Sequence, residues 1–356
     1  MRLTRLIVRD VRSVEAVDWR PVAGVNVLVG PNGGGKTSML EAIHLAVAGR
    51  SFRTRDTAQV IRRGASGLRV GAWFELDDGR RAHIRMERDA AGTRLRRDGE
   101  VVRSASQLAR AFPVLVLSQD GVRRFRTERA ERRGVMDWGV FHVKPEFHAV
   151  WSRYHAALAQ RNAALRRGQP VEPWLGPLAE AGGAMSAYRE GYLSRLQEHV
   201  TAVESEFGFS GPLKIELQRG WREGVELDAY WRQSESRDRR LGYTGGGPHR
   251  ANLSLGYGNG IGLEQCSSGQ VKIAYLTFRL AQLRELLAAR PDVEPMVFFD
   301  DLTAELDGDH LAGILGGLVR QPLQRFVTSP VLTADLNEHA DAVFHVKHGA
   351  ITTATN

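Results

Sequence analysis

The chain has one cysteine, Cys266, in 356 residues. That excludes an intrachain disulfide and a paired-cysteine zinc site. Lysine is also scarce, with five lysines beside forty-four arginines. No apolar run approaches the roughly 18 residues of a membrane span, and no repeat or low-complexity stretch interrupts the chain. Residues 1–8 have neither a long apolar core nor a small-residue cleavage site, so they read as a first strand rather than a targeting peptide. These absences leave a soluble globular chain, expected in the cytoplasm, with two domains or one domain carrying a large insertion. Its formal net charge of +8 favours a polyanionic partner, nucleic acid first, the alternative being a solvated arginine-rich surface.

What is present centres on Gly30, Pro31, Asn32, Gly33, Gly34, Gly35, Lys36 and Thr37. The run fits G-x-x-x-x-G-K-[ST], the phosphate-binding P-loop. Residues 25–29 read as a short buried strand entering it, and residues 37–48 as the helix leaving it, with Leu40, Ile43 and Val47 on one face. Glycines let the backbone wrap closely and aim N–H groups at phosphate oxygens. The helix N-terminus adds partial positive charge. Lys36 is expected to reach the β- and γ-phosphates of ATP, and Thr37 to hold Mg²⁺. Ser38 follows in the same helical turn.

Strands are expected over much of residues 1–30, then a β-meander from 68 to about 102 with turns at 77–79 and 98–99. Residues 112–117 read as another strand. Six arginines follow between 123 and 133. Apolar residues at helical spacing then predict two helices joined near 168–173, an antiparallel hairpin. A strand at 213–217 and a charged helix from 227 close this insertion near 247. The β/α pattern returns with a helix over 269–289, a strand at 296–300, a helix over 311–319 and strands at 325–328 and 342–346.

The strand at 296–300 ends in Asp300, placed to hold Mg²⁺. Asp301 follows and is a candidate general base for the attacking water. Ser267, Gly269 and Gln270 open a helix. A helix N-terminus with hydroxyls and free N–H groups suits a phosphate. The P-loop already takes one nucleotide, so this second site is expected to serve the γ-phosphate held by another protomer.

These three elements, with Asp307 shortly after the acidic pair, resemble an ABC-type ATPase head of the SMC-like class. Finer features are similar to the RecF family of bacterial recombination mediators over essentially the whole chain. They are the opening strand around Arg5 to Arg12, the Gly49 to Arg53 stretch, Gly247-Pro-His-Arg250, and the insertion segments at 137–142 and 160–165. The resemblance implies an α/β head, a mixed sheet with helices plus an antiparallel meander, from residues 1–118 and 247–356. A helical arm is inserted at 119–246. It further implies ATP-dependent homodimerisation, binding of double-stranded and gapped DNA near strand junctions, slow ATP hydrolysis, and work with RecR and RecO to load RecA. It makes Lys36 and Thr37 Walker A residues, Asp300 Walker B, Asp301 the water-activating acid, Ser267 the signature serine, Asp307 the D-loop acid and Gln119 a Q-loop ligand near the metal. Cys266, Asn252 and Gly34 depart from the family's usual leucine, aspartate and serine, and Thr328 stands where a switch histidine would be sought. A long-armed SMC protein is disfavoured, because arms of at most about 60 residues reach only about 90 Å. A transporter-type ATPase is disfavoured by the missing histidine. Arg53, Arg55 and the 123–133 run are expected to meet DNA phosphates.

Overall fold

The computed structural model describes residues 1–76, 78–207, 212–258, 260–301 and 323–353. It divides into two compact units, residues 1–121 with 291–356, and residues 122–290. The first contains two sheets. One is antiparallel and runs β2 (Val14–Trp19), β1 (Arg2–Val11), β4 (Gly67–Glu75), β5 (Arg81–Asp89), β6 (Gly92–Arg97), β7 (Glu100–Val101). The other runs β14 (Ala350–Thr353), β13 (Ala342–Lys347), β3 (Val25–Val29), β12 (Arg325–Ser329), β11 (Met296–Asp300), β8 (Val114–Ser118). All its neighbouring strands pair in parallel except β13 and β14.

Period-two alternation explains the antiparallel sheet: Leu68, Val70, Ala72 and Phe74 point inward from β4, and Ala82, Ile84 and Met86 from β5. The strands β3, β11 and β12 are buried at every position, as parallel strands covered on both faces require. Helix α1 (Lys36–Ala48) packs against strands of both sheets, and ten of its thirteen residues are buried. The sequence suggested one apolar face. The structure surrounds the helix, which is why Ser38 and Glu41 are buried along with Met39, Leu40 and Ile43. Trp19 sets its ring edge-on to Phe326 and Phe344 in the same core.

The second unit is mainly helical. The expected hairpin is α5 (Phe147–Arg166) and α6 (Glu172–Phe207), preceded by α4 (Arg129–Val143) and followed by α7 (Leu227–Leu241) and α8 (Ser268–Ala289). Strand β9 (Leu213–Gln218) pairs antiparallel with β10 (Asn252–Tyr257), which the sequence reading did not anticipate. The segments that carried the family resemblance hold this unit together. Arg189 grips Asp137 through two bonds of 2.7 and 2.8 Å and donates to the Pro248 carbonyl. Arg161 pairs with Asp238 at 2.9 Å, both fully buried, and donates to Thr244. Tyr154 lies 2.6 Å from His249 Nδ1, whose Nε2 meets the Thr244 carbonyl. Removing one member of either ion pair would strand a buried charge, at a cost of roughly 3–5 kcal/mol.

This unit extends to residue 290, whereas the sequence placed the return to the head at 247. The reason lies in α8, which packs along α6 and α4 and buries fourteen of its residues. The helix α2 (Ala105–Ala111) and strand β14 are also absent from the sequence reading. The helix expected over 311–319 lies outside the described residues, as does Asp307.

Candidate nucleotide site

The P-loop joins β3 to α1 at the carboxyl edge of the parallel strands, the edge where open α/β sheets place ligands. Pro31, Asn32 and Gly33 are exposed at its rim, while Gly34, Gly35 and Lys36 are buried. Two glycines are sterically required. A Cβ at Gly30 would sit 2.0 Å from the Val346 carbonyl oxygen, and one at Gly34 would sit 2.9 Å from the carbonyls of Pro31 and Val346. The β13–β14 turn is therefore packed directly under the loop, and Gly349 N–H donates to the Gly34 carbonyl at 2.9 Å. Lys36 Nζ donates to the carbonyls of Gly30 (2.8 Å) and Pro31 (3.2 Å), which draws the ammonium back over the loop.

Three strand ends complete the site. Asp300 on β11 is in register with Thr328 on β12 and with Ser118 on β8. Thr37 Oγ1 donates to Asp300 Oδ1 at 2.8 Å. Thr328 Oγ1 donates to the same oxygen at 2.9 Å and accepts the Asp301 N–H at 2.9 Å. Asp301 adopts φ 52°, a left-handed conformation unusual for a residue with a side chain. Burial pushes the Asp300 carboxyl above the usual carboxylate range, and the nearby charge of Asp301 adds to this. Hydrogen bonds from Thr37 and Thr328 and the charge of Arg53 oppose it. Gln119 is exposed as the first residue of α3 (Gln119–Thr127), one position beyond Ser118 on the same strand edge.

A second network fixes the loop after α1. Buried Glu41 receives Arg12 through two 3.0 Å bonds and the hydroxyl of Ser51. Ser51 Oγ in turn accepts the N–H groups of Arg53 and Thr54. Sequence reasoning missed Glu41, Thr328's two bonds and the turn at Gly349. The only advance signals were an acid inside an apolar helix and an isolated threonine at a strand end.

In the second unit Ser267 caps α8. Its Oγ accepts the Gln270 N–H, and Gln270 Oε1 accepts the Ser267 N–H, a capping box. Residues 267–270 are exposed and Cys266 is buried. The Ser267 hydroxyl proton is not engaged by either capping bond, so it can still be donated. The structure thus brings together Lys36, Thr37, Asp300 and Asp301 in the first unit, with Gln119 one residue past the neighbouring strand end; Ser267, Gly269 and Gln270 open α8 in the second unit. The arginine run at 123–133 differs from the sequence expectation. Arg132 is buried and donates to Asn252 and to the carbonyls of Phe125 and Arg126. Arg126 and Arg133 donate to the carbonyls of Cys266 and Ala251. These three tie backbone segments together, and Arg123 and Arg129 are the exposed members.

Among the described residues no group of three or more His, Cys, Asp or Glu side chains could hold a metal alone. No described helix is long and apolar enough to cross a membrane.

The family model for the RecF/RecN/SMC N-terminal domain matches residues 2–353. The chain is 38% identical over 364 residues to the DNA replication and repair protein RecF of Stenotrophomonas maltophilia strain R551-3, covering 99% of each chain. It is 36% identical over 363 residues to the RecF protein of Thioalkalivibrio sulfidiphilus strain HL-EbGR7, again covering 99% of each. Among solved structures it superposes on the recombination mediator protein RecF with ATP from the RecFOR pathway. That match has a TM-score of 0.90 at 22% identity, over 99% of this chain and 97% of that one. An Smc head bound to the C-terminal winged-helix domain of ScpA matches with a TM-score of 0.59 at 15% identity, over 99% and 97%. At these identities the two structures speak to the fold alone.

Proposed function

The chain belongs to the RecF/RecN/SMC N-terminal domain family, and from that premise we propose that it is an ATP-dependent DNA-binding protein of replication and repair. ATP closes two copies on DNA, and slow hydrolysis releases them. The observation that carries this is the 2.8 Å bond between the P-loop hydroxyl of Thr37 and the strand-end carboxylate of Asp300. Mg²⁺ with ATP fits these residues. Both donors are hard oxygens, and Mg²⁺ takes few protein ligands, completing its shell with phosphate oxygens and water. Gly30 and Gly34 donate their N–H groups to the Ser329 and Pro31 carbonyls, and the other N–H groups of the loop line a phosphate cradle.

When bound, Mg²⁺-ATP supplies the phosphoanhydride to be cleaved and a cation that neutralises its charge. Lys36 contributes a positive charge toward the β- and γ-phosphates. Thr37 and Asp300 would hold the metal, with Gln119 a further oxygen ligand. Asp301 accepts a proton from the attacking water as general base. Thr328 keeps both acids in place through a single hydroxyl. Ser267, Gly269 and the N–H groups opening α8 cap the γ-phosphate of the partner protomer's nucleotide. Arg53, Arg55, Arg123 and Arg129 meet duplex phosphates near a gap, and RecR and RecO are the partners in loading RecA.

Size-exclusion chromatography with ATP, with and without gapped DNA, tests the reading. A dimer that forms only with ATP and retains DNA is expected. A monomer throughout, with DNA retention indifferent to nucleotide, sinks it. Lys36→Arg should lose phosphate release more than ATP binding. Arg→Ala changes at the four exposed arginines should flatten the dependence of DNA affinity on salt.

A further inference from the structure

In the first unit the end of β2 meets the hairpin of β13 and β14. A concavity of about 370 Å³ opens there, lined by Asp18, Trp19, Arg20, Phe344, Ile351 and Thr353. Strand patterns explain its walls. Along β2, Val14, Val17 and Trp19 are buried, while Glu15, Ala16 and Asp18 are exposed. Phe344 and Thr353 are cross-strand partners, and Ile351 lies two residues before Thr353. These three therefore share one face of the hairpin.

Two groups at this mouth lack the partners their chemistry calls for. Trp19 is 2% exposed and sets its ring edge-on to Phe344 at 5.3 Å. Its Nε1 donor meets no acceptor among the described residues. Such a donor has given up its water without replacement, which is rare in folded proteins. Arg20 follows it in the chain and is exposed, with no carboxylate within ion-pair distance among the described residues. The acid beside it in sequence, Asp18, is taken by Arg5 through bonds of 2.8 and 2.5 Å. The cavity thus offers an unmatched indole donor, an unpaired guanidinium and the Thr353 hydroxyl, against an apolar wall of Phe344 and Ile351. That set matches a carboxylate carried beside an apolar group. The strand β14 points to the carrier. It is the last strand of its sheet and pairs only with β13 among the described residues. Its outer backbone groups are left for an extended chain.

We propose that this mouth captures the C-terminal residue of a partner peptide: the terminal carboxylate takes the Arg20 guanidinium and the Trp19 N–H, and an apolar last side chain packs on Phe344 and Ile351. The preceding residues leave along the edge of β14. The proposal does not rest on the ATP reading, because none of the lining residues belongs to the nucleotide site.

The test uses the full chain labelled with nitrogen-15 and follows its indole N–H resonances, with Trp19→Phe identifying the Trp19 signal. The probes are N-acetylated tetrapeptides ending in Leu, Val or Phe with a free carboxylate, each beside its C-terminal amide. The acids are expected to move the Trp19 signal. The amides should bind about tenfold or more weakly, as should the acids with Arg20→Gln, the worth of a hydrogen bond to a charged group. Trp19→Phe should weaken the acids by about two- to tenfold, as for one neutral bond. An unchanged melting midpoint identifies folded variants, and Arg20→Gln, a surface change, keeps the test available if Trp19→Phe disturbs the core. A Trp19 signal unmoved at millimolar acid overturns the proposal. So does an amide that binds as tightly as its acid, or an affinity that Arg20→Gln leaves unchanged. N-acetyl-leucine is the remaining arm. If it binds as tightly as the tetrapeptides, the mouth takes free acids, and its assignment to a peptide end is overturned.

Discussion

Thr328 shows how much one hydroxyl can organise. It donates to Asp300 and accepts from the amide of Asp301, whose backbone is held left-handed at φ 52°. Replacing it with valine keeps the shape and removes both bonds. The part-buried Asp301 amide loses its acceptor, at up to about 1–3 kcal/mol. Thr328→Val should lower the ATP turnover number about tenfold or more while the Michaelis constant moves less, and Thr328→Ser should restore it. Steady-state phosphate release for the three proteins decides. Asn252 is a second instructive position. It accepts from buried Arg132 and donates to Gln218, and the nearest carboxylate to Arg132 is exposed Glu264 at 3.6 Å. The guanidinium is already buried, and burial draws its pKa down, so a counter-charge here compensates a cost already incurred. Asn252→Asp should raise stability by about 1–3 kcal/mol, with the Gln218 amide turning to donate. A lower thermal midpoint would contradict this account.

At the scale of elements, the C-terminal hairpin of β13 and β14 acts as part of the P-loop. Gly349 has φ 75°, and a Cβ there would lie 2.4 Å from the Ser13 carbonyl oxygen. Gly349→Ala must displace the turn that donates to Gly34, so ATP affinity should fall about tenfold along with stability. Gly79→Ala is the control. Its φ of 77° is equally left-handed, but a Cβ meets nothing within 4 Å. It should cost about 1 kcal/mol and leave ATP titrations unchanged. Nothing in the sequence pointed to Gly349, since a long-range backbone contact has no periodicity to read. By contrast the P-loop, β11 ending in Asp300, the meander and the helical hairpin were legible, because each rests on local spacing and turn chemistry. The arginine run at 123–133 was misread for the opposite reason. Composition counts charges but not where they point, and Arg132 points inward. The sequence set the return to the head at 247, while the compact second unit runs on to Arg290 with α8 packed along α6.

For the whole molecule the question is what the exposed opening of α8 is for. The Ser267 hydroxyl already serves as a helix cap, and a cap alone explains a serine there. The two roles can be separated by substitution. Aspartate is as good a cap acceptor as serine, yet it is anionic and would repel a γ-phosphate. Ser267→Asp should therefore keep the melting midpoint and the ATP affinity of the isolated chain, while abolishing ATP-driven association. Ser267→Arg loses the cap, at about 1 kcal/mol, and should also bind ATP without dimerising. Light scattering with ATP reads both. A dimer formed by Ser267→Asp would reduce the serine to its capping role and leave the sandwich without its upper half. A monomer that still binds nucleotide would mean that the P-loop in one unit is necessary but not sufficient, and that closure depends on a phosphate being grasped by residues from two copies of the chain.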